Sequence, residues 1–107
     1  GDLRPVERIQ IDQRPRSGYS MEADCEGIVI RGDVSCEDKL YEARIEIEVD
    51  GRKVDTFAMP ADWNRRRHEI WWRFDLKAGQ HTITIHWTNP RDDAALYVRD
   101  ALLLRKK

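Results

Sequence analysis

The sequence predicts a single all-β domain, an antiparallel two-sheet β-sandwich, from three observations. Apolar and polar residues alternate with a period of two in Ala43-Arg44-Ile45-Glu46-Ile47-Glu48-Val49 and again from Ile83 to Trp87. Asp50-Gly51 follows the first of these runs directly, the dipeptide that most strongly marks a β-hairpin. Apolar residues recur at helical spacing in no segment, and glycines and prolines punctuate the chain at short intervals.

Each strand is justified in turn. Val6 to Asp12 alternates weakly and ends in the loop Arg14-Pro15-Arg16-Ser17-Gly18. Gly27-Ile28-Val29-Ile30-Arg31 is a short apolar run between glycines, the signature of a central strand. Ala43 to Val49 turns Ala43, Ile45, Ile47 and Val49 to one face and Arg44, Glu46 and Glu48 to the other. The return strand, Lys53 to Met59, admits two registers. A two-residue turn sets Val54 opposite Ile47 and leaves Phe57 outside. A three-residue turn with a bulge sets Phe57 opposite Ile45 and Met59 opposite Ala43, and is favoured because it buries two large side chains instead of one valine.

Pro60 to Arg67 has no periodicity and reads as a long loop. A second hairpin is expected beyond it, with Ile70, Trp72, Phe74 and Leu76 of one parity, Lys77-Ala78-Gly79-Gln80 as the turn, and Ile83, Ile85 and Trp87 on the return. Asn89 to Asp93 is a loop. Ala95 to Tyr97 begins a short strand, and Ala101-Leu102-Leu103-Leu104 closes the sheet.

The length, 107 residues, suits one domain and one core. The chain begins Gly1-Asp2-Leu3 without an initiator methionine, so Gly1 reads as a cloning scar and residues 1–107 as a single domain excised from a longer protein. The hydrophobic fraction is 40% and the charged fraction 36%, a balance suited to a thin sandwich whose strands each show one face to water. Nineteen basic against 20 acidic residues give a net charge of -1, without the basic excess that nucleic-acid binding requires. No apolar run is long enough to span a membrane as a helix.

Two cysteines, Cys25 and Cys36, are too few for a disulfide scaffold. A continuous strand between them, at about 3.3 Å per residue, keeps them far apart, and only a reversal near Gly27 or Gly32 would join them. Free thiols are expected. The histidines offer no metal site by spacing: His81 and His86 differ in parity, and His68 has no evident partner beside Arg65-Arg66-Arg67. No serine sits in a nucleophile elbow, neither cysteine has a histidine nearby in sequence, and no glycine-rich phosphate cradle occurs. The acidic pairs Glu37-Asp38 and Asp92-Asp93 lie in loops and can supply oxygen ligands to a structural calcium ion, although solvated acids are the plainer reading.

From about Tyr41 to Leu104 the chain resembles the galactose-binding-like jelly-roll domains appended to secreted bacterial carbohydrate-active enzymes. The residues that carry the resemblance are Val49-Asp50-Gly51-Arg52-Lys53-Val54, then Arg66-Arg67-His68-Glu69-Ile70-Trp71-Trp72-Arg73-Phe74, then Leu76-Lys77-Ala78-Gly79-Gln80-His81-Thr82-Ile83. A fainter resemblance is to tails of ADP-ribosylglycohydrolase-like or glycosidase-like proteins. The resemblance implies a jelly roll, an extracytoplasmic location, a non-catalytic role beside a hydrolase, and His81 as a structural residue flanking a turn. It implies no cofactor beyond the calcium just considered.

Aromatic residues carry the functional signal, because sugar C–H faces pack on flat rings. Trp72 and Trp87 share the buried parity and are expected in the core. Trp71 has the opposite parity and Trp63 lies in a polar loop, so a candidate glycan site comprises Trp63, Asn64, Arg65, Arg67 and Trp71. The leading expectation is a non-catalytic accessory domain that binds carbohydrate for an attached hydrolase. The alternative is a structural or docking module that braces a neighbouring catalytic domain and has no glycan of its own.

Overall fold

In the computed structural model, which describes residues 2–62, 64 and 68–106, eight strands form two antiparallel four-stranded sheets packed as a sandwich. The strands are β1 (Leu3–Gln13), β2 (Gly18–Asp24), β3 (Gly27–Cys36), β4 (Glu42–Val49), β5 (Arg52–Pro60), β6 (Glu69–Arg73), β7 (Gln80–Trp87) and β8 (Ala94–Lys106). One sheet has the order β1-β8-β3-β6 and the other β2-β7-β4-β5, and no α-helix occurs among the described residues.

The alternation read in β4 is the alternation of burial: Ala43, Ile45, Ile47 and Val49 enter the core while Arg44, Glu46 and Glu48 face outward. In β7, Ile83, Ile85 and Trp87 join them from the neighbouring strand. The opposing sheet contributes Ile28, Ile30 and Val34 from β3, and Leu96, Val98, Ala101 and Leu103 from β8. Burial of these branched side chains on two facing sheets is the main stabilising term.

The β4–β5 hairpin has the favoured pairings, Ile45 with Phe57 and Ala43 with Met59. The extra residue lies elsewhere than expected. The turn is the tight two-residue kind, with Asp50 at φ 53° and Gly51 at φ 83°, and the irregularity falls farther on, where Val54 is left over between Ile47 and Glu48 of the partner strand. Both cysteines are free and buried, and Cys36 ends the strand that separates them. Burial pushes the Cys25 thiol up to about 11.

Three expectations are corrected. The segments on either side of Lys77-Ala78-Gly79-Gln80 do not form a hairpin, because β6 belongs to one sheet and β7 to the other, so this connection crosses the sandwich. Gly18, read from sequence as the end of a loop, and residues 19–24, unassigned there, form β2, paired with β7. Residues 95–97 and 101–104 belong to a single strand, β8. Arg99 is an extra residue in β8's pairing with β3, and it switches the face parity between Val98, which points into the core, and Asp100, on the outer face. There the backbones run close together: a Cβ on Gly32 would lie 2.0 Å from the Tyr97 carbonyl oxygen, so only glycine fits.

Candidate functional site

The same kind of irregularity on β6 reverses the roles of the paired tryptophans. Arg31 of β3 pairs with Glu69 and Ile30 with Trp71, so Ile70 is an extra residue in the ladder. Ile70 and Trp71 both point inward, each 3% exposed, and parity is inverted from there on. The Trp71 indole N–H donates to Asp55 Oδ2 at 3.1 Å, which satisfies its polar edge inside the sandwich. Trp71 therefore does not face solvent, and Trp72 does not lie in the core: Trp72 is 47% and Phe74 51% exposed. Trp87 is buried as expected and donates its indole N–H to the Tyr41 hydroxyl at 2.8 Å.

Trp72 and Phe74 stand on the outer face of the β1-β8-β3-β6 sheet. Across the strands, Trp72 is level with Val29, Val29 with Leu102, and Leu102 with Arg8. One step along, Gly27 leaves a shallow place in the sheet. A Cβ there would be 3.0 Å from Leu3 Cδ1 and 3.2 Å from Phe74 Cδ1, so these two side chains close over the glycine. In the other direction the face turns polar. Asp100 is fully buried beneath two arginines: Arg31 reaches it with Nε–Oδ1 at 2.7 Å and Nη2–Oδ2 at 2.6 Å, and Arg8 with Nε–Oδ2 at 2.8 Å. The hydrogen bond from Arg31, with that from Arg8, holds the Asp100 carboxyl below the usual range against the opposing effect of burial, and Asp100 raises Arg31 in return. Arg8 also donates to Gln10, Gln10 to Asp12, and the Tyr97 hydroxyl to Asp12 at 2.5 Å. The face thus joins an aromatic and aliphatic patch to guanidinium groups pinned by a buried carboxylate, and both arginines keep part of their surface in water.

Of the residues named from sequence for the glycan site, Trp63, Arg65 and Arg67 lie outside the described residues. Asn64 is exposed, and its backbone N–H donates to Asp62 Oδ1 at 3.1 Å. Trp71 is packed in the core, so the structure does not bring it to a surface with Asn64. Trp72 and Phe74 were missed, and their signal was present in Glu69-Ile70-Trp71-Trp72: three bulky apolar residues in succession cannot all obey a period of two.

Of the loop acids considered for calcium, Asp38 and Asp93 hold Arg91. Arg91 Nη1 lies 3.1 Å from Asp38 Oδ2, and its Nε and Nη2 lie 3.0 and 2.9 Å from the two oxygens of Asp93. The Leu40 backbone N–H, then Arg91, lowers Asp38; Arg91 lowers Asp93 against the opposing effect of burial; and Asp38 and Asp93 raise Arg91. Among the described residues no group of three or more His, Cys, Asp or Glu side chains is placed to hold a metal ion. The histidines are separately engaged. His68 Nδ1 is 3.0 Å from Asp33 Oδ2, a partner that its sequence position did not suggest, and His86 pairs with Glu48 on the outer face. His81 points inward between Asp50 and the Lys77 carbonyl.

No family model matches the chain, and no curated protein matches it. Solved structures with the same fold do. The chain is similar to the CBM36-1 domain of a multidomain xylanase from the hindgut metagenome of Trinervitermes trinervoides, with a TM-score of 0.57 and 11% identity over 100% of this chain and 87% of that one. It is similar to the carbohydrate-binding module CBM36 in complex with calcium and xylotriose, with a TM-score of 0.50 and 12% identity over 94% of this chain and 87% of that one. A third likeness is to SsfX3, a salicylyl-acyltransferase of a tetracycline biosynthetic pathway, with a TM-score of 0.53 and 18% identity over 84% of this chain. The match spans only 26% of that enzyme's length. At these identities the likeness establishes the fold, a jelly-roll sandwich of the kind used by carbohydrate-binding modules. No helix among the described residues is long and apolar enough to cross a membrane.

Proposed function

We propose that the chain is a non-catalytic carbohydrate-binding module that holds glycan on the outer face of the β1-β8-β3-β6 sheet for an attached hydrolase outside the cytoplasm. The observation that supports this most is the exposure of Trp72 and Phe74, 47% and 51%, side by side on a sheet face. Large exposed rings are uncommon without a partner. A sugar ring supplies one, since its C–H face stacks on an indole while its hydroxyls accept from a fixed donor. Arg31 and Arg8 are such donors, and Asp100 holds them in place before any ligand arrives, which lowers the cost of ordering them. The likeness to modules of a xylanase and of a xylotriose complex makes xylo-oligosaccharides the first ligands to try.

The test is an NMR titration that follows the indole N–H signals with xylo-, cello- and manno-oligosaccharides. The Trp72 signal is expected to shift with a millimolar dissociation constant, corresponding to about 4 kcal/mol, while the Trp71 and Trp87 signals stay near their starting positions. Substitution Trp72→Ala removes the response. If no oligosaccharide in the panel moves the Trp72 signal, the exposed rings are better read as a docking face for a neighbouring domain, the alternative module role.

A further inference from the structure

Two arginines on the β1–β2 turn stand outside every ion pair among the described residues. Arg14 and Arg16, with Pro15 between them, form one wall of a cleft of about 500 Å³ at the end of the sandwich. Pro90, Arg91 and Asp92, from the β7–β8 loop, form the other wall, and Trp87 and Leu96 lie at its base. This cleft is remote from the aromatic face. β8 passes Ala94 and Leu96 at the cleft and reaches Leu102 and Leu104 beside Trp72 and Phe74, a run of roughly 25 Å at strand spacing.

Both walls are fixed. The Trp87 N–H donates to the Ser17 carbonyl at 2.7 Å, tying the β1–β2 turn to β7. The Arg14 guanidinium lies 4.6 Å from the centroid of the Tyr97 ring. On the opposite side, Asn89 accepts from the Tyr41 hydroxyl at 2.7 Å and donates to the Glu42 carbonyl at 2.9 Å, and Arg91 is held by Asp38 and Asp93 over the Tyr41 ring. Three arginines and a single carboxylate, Asp92, line the cleft. The lining itself sets three guanidinium groups against one carboxylate; with Asp38 and Asp93, which hold Arg91 from outside the lining, the charges balance, and Arg14 and Arg16 are the cations left without an ion-pair partner among the described residues. An anion is the complement of such a cleft, and guanidinium groups fork most favourably onto carboxylates and other planar or tetrahedral oxyanions. The base and the two prolines are apolar, a lining that a bare inorganic ion would not use and an organic body would. A volume of about 500 Å³ lies within the ordinary range of small-molecule sites, on the order of 300–1,000 Å³.

We propose that this cleft binds a small organic carboxylate of one or two rings, an acidic sugar of the hexuronate class, independently of the Trp72 face. The choice of a sugar as the organic body rests on the carbohydrate-binding reading above; the carboxylate rests on the cleft alone.

The experiment is an amide NMR titration of the whole chain with digalacturonate, with its neutral counterpart galactobiose, and with sodium sulfate. Digalacturonate is expected to shift the amides of residues 14–17 and 91–93, galactobiose to leave them in place, and added salt to weaken the response by screening. The variant Arg14→Gln/Arg16→Gln changes exposed side chains and gives up only the Arg14–Tyr97 ring contact, so its melting temperature stays close to that of the parent, and its affinity for digalacturonate falls by about tenfold or more. Trp72→Ala binds digalacturonate as the parent does, so a failure of glycan binding on the aromatic face is read separately from a failure here. Equal shifts with galactobiose, no shift of these amides with digalacturonate, an undiminished response in the double variant, or complete displacement by sulfate at equal concentration would each overturn the proposal.

Discussion

His81 shows how one side chain joins two connections. Its Nδ1 lies 2.7 Å from Asp50 Oδ2 and its Nε2 lies 2.6 Å from the Lys77 carbonyl oxygen. Both partners are acceptors, so the imidazolium, with a proton on each nitrogen, satisfies the arrangement fully. The hydrogen bond to Asp50, then that to Lys77, raises His81 above 6.5, and the hydrogen bond from His81 lowers Asp50 below 3.8. A raised histidine contributes stability that is complete below 6.5 and is lost as pH rises through its folded value. A depressed aspartate contributes stability that is present above 3.8 and is lost as pH falls through its folded value. The pair therefore contributes most between those limits. Thermal melts from about pH 5.5 to about pH 9 should show a falling melting temperature in the parent and a flatter profile in His81→Gln. An identical slope in the variant would assign the effect to other groups. A structural role for His81 was implied by the family resemblance carried by Leu76 to Ile83, and in the structure its carbonyl partner, Lys77, lies four residues back in the chain. The pairing of His68 with Asp33 was not legible, since those residues meet only through the folding of β3 beside β6.

At the scale of the strand, the extra residue at Ile70 decides which tryptophan the molecule shows to water. Removing a buried indole leaves a cavity, so Trp71→Ala should cost about 3–5 kcal/mol in chemical denaturation. Trp72→Ala, at a half-exposed position, should cost less than about 1 kcal/mol. Comparable losses in the two variants, or the larger loss in Trp72→Ala, would contradict the inverted parity. Strict alternation made β4 and most of its partnership with β5 legible, because local pattern and local turn chemistry agree there. It misled in β6, where the register depends on which residues of β3 lie alongside. Phe57 and Met59 found their partners across a turn of two residues; Trp71 found Ile30 from a strand distant in sequence, and no local pattern encodes that choice.

For the molecule as a whole, the sandwich was legible and its wiring was not. Strand count, turn residues and the lack of helical period point to two packed sheets. The order β1-β8-β3-β6 rests on complementarity between the first strand and the last, and Leu3 pairs with Lys106. The polar half of the candidate face comes from that same closure, since Arg8 of β1, Arg31 of β3 and Asp100 of β8 meet only when the three strands lie together. Asp100 itself hid the strand that bears it, because an acid in mid-strand reads as a break until its two arginine partners are known. The central claim is that this face, with Trp72 at its apolar end, holds polysaccharide. Affinity electrophoresis of the parent and of Trp72→Ala, through native gels cast with and without soluble xylan and other β-linked polysaccharides, tests it most directly. The account predicts that at least one polysaccharide retards the parent, and that Trp72→Ala migrates there as it does in the plain gel. Equal migration of the two proteins in every gel, whether both are retarded or neither is, would contradict it.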